Sequence, residues 1–520
     1  MREGVLRNLP VLVVIVPLLM GLLTAILGKK GRAHWLALAT AWLTFGLTGL
    51  LASEVLQSPT GFVSYTMGPW ADAVPLNLAA RPGAVAAPGI EYRVDHLNAL
   101  FLLVVAGMTA IVILGARLSL KKEVPQDRHH LFYAVLLLCL TGLLGITITG
   151  DAFNLYVLLE ISSLTAYALV AMGRSRDKRA LTASFHYLML GTVGASLILI
   201  GIGYLFLVTG TLNMDEMARV LAEEIPRRNK TVTTAFALLV AGFGLKMALF
   251  PLHAWLPNAY TYSPSVVSTF LASTATKVGL YAGLRFYFTI FGADYTISTF
   301  ANEALLFLAC AAILHGSVMA IQQTNVKRLL AYSSVAQIGY LVIGFCLVDA
   351  RGHPIQAGVT GSLLHVANHA VVKGALFVAA GAVVYRCGAI HLDDLRGLAR
   401  KMPLTFTAFA VGGLSLIGVP LTGGFISKWH LLSAAVEGGY YPVVAVILIG
   451  SLLAVVYVLR MIEPMLFSKP EEGPQVGEAP PSLILPAWIL CGISIYFGVN
   501  GGVLRELVEG AAKAIVGGGS

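Results

Sequence analysis

Long apolar runs, each close to twenty residues, recur along the chain from Leu9 to Asn500, with short polar stretches between them. A helix of about twenty apolar residues, rising about 1.5 Å per residue, crosses the hydrocarbon core of a bilayer. The pattern predicts spans at 9–27, 34–53, 96–117, 131–149, 152–172, 183–209, 233–262, 264–290, 300–320, 327–347, 356–386, 403–437, 442–466 and 483–500. The expected fold is therefore an all-α polytopic membrane protein of about fourteen helices. Region 54–95, with Pro69, Pro75, Pro82 and Pro88, is too polar to span and reads as an ordered loop on one side. Segment 213–230 has apolar positions at helical spacing with charges between them, the pattern of a short surface helix.

Two of the runs contain their own helix breakers. One, "FGLKMALFPLHAWLPNAY" at 243–260, breaks at Pro251 and Pro257, and the other breaks near "GVPLTGG" around Pro420. Proline removes a backbone donor and clashes with the preceding turn. The two broken spans lie five spans apart and so run in opposite directions. Paired broken helices of this kind point to inverted repeats and a transport site near the midplane.

Composition sharpens the class. The chain is 57% hydrophobic and 12% charged, against about 45–50% and about 25% in soluble proteins. Its net charge of +9 would suggest an acidic partner, but no aromatic-basic interleaving supports nucleic-acid binding, and none is expected. Lys and Arg instead cluster after alternate spans: Lys29, Lys30 and Arg32; Arg117, Lys121, Lys122 and Arg128; Arg174, Arg176, Lys178 and Arg179; Lys327 and Arg328; Arg386, Arg396, Arg400 and Lys401. These loops are expected in the cytoplasm, with both termini outside, in the cell (inner) membrane of a prokaryote. Arg2 and Arg7 before the first run imitate a signal peptide. The length of that run and the basic residues after it read as a retained span. The five cysteines are scattered without CxxC spacing, so no disulfide frame or metal site is expected.

The candidate chemistry lies in the few ionisable residues inside the spans. Glu160, Lys246, Lys277, Lys373 and Lys428 all fall within apolar runs. A charge at the bilayer centre costs about 2.5–3.5 kcal/mol on insertion scales, so five facing lipid would oppose insertion by about 10 kcal/mol or more. They must face one another or water. Glu160 is about nine residues into its span, with Ser163 one turn further. Lys246, beside the proline break, is its expected partner. A pair about 4 Å apart attracts by about 4 kcal/mol at an effective dielectric near 20. A lysine beside a carboxylate keeps its proton, and one left alone in a dry site gives it up. The alternative is a salt bridge that only staples two helices, although buried pairs stabilise poorly compared with apolar packing.

His253 sits between the two prolines, either as a relay or as a satisfied hydrogen-bonding residue. Lys277 has Ser273 and Thr274 one turn earlier, which suggests a hydrated track; these hydroxyls and Thr276 also suit Na⁺ or plain helix packing. In "LLHVANHAVVKGALF", His365, His369 and Lys373 recur every four residues on one helix face. That pair lacks the Glu of HExxH and a third ligand, so the file reads as a proton relay rather than a metal site. Lys428 follows the second break. His430 lies near it, and His186 and His315 are read as structural.

Together "GLKMALFPLHAWLPNAYTYSPSVVSTFLASTATKVGLY", "LLHVANHAVVKGALF" and "GVPLTGGFISKWHLL" resemble the antiporter-like membrane subunits. These include subunits A and D of Mrp-type multisubunit cation/proton antiporters and the pump subunits of respiratory complex I and membrane-bound hydrogenases. The likeness runs from about residue 95 to 465. It implies two inverted five-helix repeats around a hydrophilic axis: residues 131–290 and 300–466, flanked by N-terminal helices and a loop in 1–95 and a C-terminal helix and tail in 467–520. It implies the Glu–Lys pair at Glu160 and Lys246, the central lysine at Lys277, axial histidines at His253, His365 and His369, and the terminal-channel lysine at Lys428. Lysine there fits the Mrp D type, and the chain lacks the long lateral helix of the largest members.

The resulting expectation is a proton-translocating, non-redox subunit of a multisubunit Na⁺/proton antiporter, with other membrane subunits, protons, Na⁺ and the lipid bilayer as partners. The alternative is the pump subunit of a complex I-like or hydrogenase-like enzyme. No Cys cluster, nucleotide motif or haem signature is present, so no cofactor is expected. Readings of another class are a stand-alone solute carrier and a purely structural subunit. Four buried lysines against one glutamate argue against the former.

Overall fold

The computed structural model describes residues 8–28, 31–67, 89–226, 229–298, 300–388, 391–468 and 477–517. Lys29, Lys30 and the proline-rich stretch 68–88 lie outside the described residues. Two helices open the fold, α1 (Leu9–Leu27) and α2 (Ala33–Gln57), followed by an antiparallel hairpin of β1 (Phe62–Thr66) and β2 (Glu91–Asp95) in which Phe62 faces Asp95 and Thr66 faces Glu91. Then come α3 (His96–Glu123), α4 (His129–Ile148), α5 (Ala152–Ala171), α6 (Arg179–Thr209), the surface helix α7 (Met214–Glu223) and α8 (Lys230–Met247). The middle of the chain forms α9 (Leu256–Tyr262), α10 (Ser265–Ser273), α11 (Ala275–Leu284), α12 (Ala293–Ser298), α13 (Phe300–Ile321), α14 (Val326–Cys346) and α15 (Gln356–Cys387). It closes with α16 (Leu398–Lys401), α17 (Pro403–Ile417), α18 (Gly423–Glu437), α19 (Tyr441–Phe467), α20 (Pro481–Val499) and α21 (Gly502–Gly517).

Twelve of the described helices are long and apolar enough to cross a membrane. The two expected spans missing from that set, 264–290 and 403–437, are ones whose helices are interrupted. Proline and glycine account for the second break: α17 stops at Gly418, whose φ of +91° suits glycine, and α18 starts after Pro420. The break in 264–290 has no such marker. It falls at Thr274 (φ −125°, ψ −59°) between α10 and α11, and a π-helical turn, Arg285–Ile290, follows.

Caps and strand alternation fix the ends of the elements. Asp95 accepts from Leu97 and Asn98 N–H while Asn98 accepts from Asp95 N–H, a reciprocal cap on α3. The side chains of Asp151, Asn213, Asn229 and Asn325 accept from the first turns of α5, α7, α8 and α14. Along β2, Tyr92 and Val94 point into the core. Glu91, Arg93 and Asp95 alternate with them and reach Asn213, Asp215 and Arg285, which ties the hairpin across that face of the bundle.

Burial divides the helices. α14 and α15 are buried almost all round, which suits a central position in a bundle. The peripheral α1, α6, α13 and α19 expose large apolar side chains such as Leu22, Leu207, Phe307 and Leu452, a surface made for lipid or neighbouring helices. Of the four predicted lysines, Lys277, Lys373 and Lys428 are buried in the core, and Lys246 is half-buried.

Candidate functional site

Glu160 is the ninth residue of α5 and is half-buried, with its Oε1 enclosed and without a hydrogen-bond partner. Lys246 is the penultimate residue of α8. Its Nζ donates to Ser163 Oγ at 2.9 Å, one helical turn beyond Glu160. The hydroxyl, and not the Glu160 carboxylate, is the direct contact of this ammonium. A cavity of about 40 Å³ lined by Ser162, Ser163, Tyr187, Lys246 and Gly279 adjoins them, enough for a water molecule. The expected 4 Å contact is thus replaced by a bond from the lysine to the neighbouring hydroxyl, beside a small cavity whose lining is mostly apolar.

The break after α8 positions its residues through backbone needs. Ala248 is left-handed (φ +59°) and the Phe250–Pro251 peptide is cis. The Leu245 carbonyl, released from the helix, accepts from Trp255 Nε1 at 3.0 Å. His253 lies in this unwound stretch, buried, with Nδ1 unpartnered. Its ring centroid is 5.1 Å from that of His315 on α13, and Phe250 and Tyr332 flank it. His315, read from the sequence as structural, is therefore the neighbour of a candidate relay.

Lys277 is fully buried, and its Nζ donates to the Ala272 carbonyl on the far side of the Thr274 break. The discontinuity frees this oxygen from the helical ladder, and the lysine takes it. Lys373 on α15 is also fully buried and donates to the Leu330 carbonyl at 2.9 Å and Ser333 Oγ at 2.5 Å on α14. One turn back, His369 has neither ring nitrogen hydrogen-bonded. A further turn back, His365 contacts Ser427 Oγ at 2.9 Å and Gln337 Oε1 at 2.8 Å. The two imidazoles stack at 6.2 Å with planes 6° apart. Ser427 adjoins Lys428, whose Nζ donates to the carbonyls of Leu416 and Ile417 at 2.9 Å each, and to Ser451 Oγ at 3.3 Å. The face of Tyr340 covers that ammonium at 4.7 Å. The structure thus brings His365, His369, Lys373 and Lys428 into one buried polar region.

Two charged residues at this region's edge escaped the sequence reading. Lys327, read as a loop charge, is 1% exposed in the first turn of α14 and donates to Ser263 O at 3.2 Å and Ser268 Oγ at 3.4 Å. Glu123, the last residue of α3, is 3% exposed and accepts from the Ser265 N–H at 2.5 Å, the start of α10. An acid and a base thus grip the junction between α9 and α10 from two sides. The available signal was the serine-rich "YSPSVVS" at 262–268, a polar stretch in an apolar context.

Buried bases resting on hydroxyls and freed carbonyls, on and around three interrupted helices, define a class: membrane proteins whose interior holds a chain of titratable groups. The family model described as NADH:quinone oxidoreductase/Mrp antiporter, TM matches residues 149–454, and the chain belongs to that family. It is 39% identical to NADH-quinone oxidoreductase subunit N of Desulforudis audaxviator, over 96% of this chain and 98% of the relative. It is 28% identical to a Na(+)/H(+) antiporter subunit of Bacillus subtilis, over 97% of each. Among solved structures, a chain of the membrane-bound sulfane sulfur reductase, an archaeal respiratory membrane complex, superposes with a TM-score of 0.84 at 29% identity, covering 98% of both chains.

Proposed function

We propose that this chain is the proton-translocating subunit of a multisubunit membrane complex that exchanges a monovalent cation, Na⁺ first, for protons. The observation that carries the reading is the seating of the bases. Lys246, Lys277, Lys373 and Lys428 all rest on neutral oxygens, and none has an acid in direct contact among the described residues. A lysine held this way in a dry interior changes its hold on a proton when a carboxylate approaches or withdraws. Glu160 is the movable acid for Lys246, His253 with His315 serves the break, and Lys277, His369, Lys373 and His365 pass the proton along to Lys428.

The test uses the assembled complex in sealed vesicles. An imposed Na⁺ gradient is expected to drive proton movement in the opposite direction, read with a pH-sensitive dye. No proton movement under any cation gradient removes the antiport reading.

A second reading is a pump subunit of a complex I-like enzyme, driven by electron transfer in other chains. The 39% full-length identity with subunit N favours it over the 28% identity with the antiporter subunit. Proton movement that follows quinone reduction and ignores Na⁺ selects this second reading. Both use the same file of bases.

A further inference from the structure

The breaks after α8 and after α17 treat their freed carbonyls differently, while at the Thr274 break a lysine takes the freed carbonyl of Ala272. At the first, protein donors take them: Ala248 and Leu249 N–H bond Leu245 and Gly244, and Trp255 adds its indole to Leu245. At the second, the N–H groups of Gly418 and Val419 both turn back to Leu414. The carbonyls of Leu416 and Ile417 converge instead on a single cation, the Lys428 ammonium, at 2.9 Å each. Ser451 Oγ from α19 supplies a third oxygen at 3.3 Å, and the Tyr340 ring face a fourth wall. The C-terminal end of a helix carries partial negative charge. Freed carbonyls at the end of a half-helix, a hydroxyl and an aromatic face form a cradle for a small monovalent cation. Gly418 keeps the cradle open: a Cβ there would lie 3.0 Å from Lys428 Cδ, on a residue with φ of +91°.

We propose that the Leu416–Ile417–Ser451 cradle is a monovalent-cation site in which the Lys428 ammonium and a free Na⁺ are alternative occupants. The inference deepens the antiport reading and rests on it. When Lys428 gives its proton to water, the neutral amine no longer fills the cradle electrostatically, and Na⁺ takes its place. One positive charge leaves and one arrives, so the site's net charge is unchanged. The buried carbonyls are never left without a cation. The titratable groups facing Lys428 are Tyr340 on α14 and His365 on α15, whose ring bonds the adjacent Ser427, and α19 carries the buried Tyr457. The half-helix α17 carries no titratable residue, and α20 carries Cys491 and Tyr496.

The probe is ²²Na⁺ binding to the purified, assembled complex between about pH 6 and pH 11, a range that brackets the ordinary lysine and histidine values. Wild-type affinity is expected to weaken about tenfold per unit fall in pH while the lysine is protonated, the signature of one competing proton. Lys428→Met is expected to bind Na⁺ with little pH dependence, because the competitor is gone. Lys428→Arg, a cation that does not lose its proton, is expected to block binding throughout. Ser451→Ala is expected to weaken it several-fold. The proposal is overturned if Lys428→Met keeps the wild-type pH slope, or if no saturable binding occurs in wild type. Proton flux driven by a K⁺ diffusion potential, measured in parallel without Na⁺, separates the two ideas. Flux without Na⁺ binding removes the cradle and leaves the proton file, and absence of both removes the underlying reading.

Discussion

Lys246 takes the hydroxyl of Ser163 rather than the carboxylate of Glu160: its ammonium sits 2.9 Å from Ser163 Oγ, one turn along the same helix from a carboxylate whose Oε1 has no partner. Ser163→Ala removes that link. A hydrogen bond involving a charged group is worth about 1.5–3 kcal/mol, so proton flux is expected to fall by about ten- to a hundredfold. Flux in dye-loaded vesicles with the complex intact checks this. Wild-type flux in the variant means the hydroxyl is a spectator.

The stacked histidines are expected to separate stability from transport. His365 bonds Ser427 and Gln337, and Ser427 also donates to the Gly424 carbonyl, so His365→Ala strands the Gln337 oxygen and costs about 1–3 kcal/mol. His369 has no partner on either nitrogen, so His369→Leu is expected to leave the melting temperature unchanged or raised, while flux drops. Thermal unfolding in detergent, paired with the flux assay, reads both effects.

Asp95 and Arg285, paired at 2.6 Å with 24% and 12% of their side chains exposed, hold the hairpin to the helix of Lys277. Burial alone would raise the Asp95 carboxyl, but Arg285 beside it prevails and holds it below the usual carboxylate range. A lowered carboxyl stabilises at pH above its unfolded value, about 3.9, and that contribution is lost as pH falls through the folded value. The clasp is therefore expected to stay constant from about pH 5 to 9 and to fail only in acid. Asp95→Ala is expected to cost about 3 kcal/mol, because it leaves Arg285 buried and unpaired. Chemical denaturation across pH tests both points. An equal loss in Asp95→Ala and wild type on acidification contradicts the assignment.

Lys246, Lys277, Lys373 and Lys428 were legible in the sequence because a charge inside an apolar run is too costly to be incidental. Pro251 and Pro420 marked two breaks because a proline cannot sit quietly inside a helix. Contacts were not legible. Spacing fixes which face of one helix a residue occupies, but the rotation of α5 against α8 decided that Ser163, and not Glu160, touches Lys246. The Thr274 break carries no proline or glycine that could have marked it. Glu123 and Lys327 sit at helix ends, where sequence reads a loop and the structure shows burial. His315 gained its significance only when α13 brought it to His253.

The most direct test of a proton path through Lys246 is flux into vesicles holding the assembled complex with Lys246→Ala, at subunit content matched to wild type. Flux is expected to fall to the level of empty vesicles while assembly is retained. Flux at the wild-type rate contradicts a switchable lysine at the break.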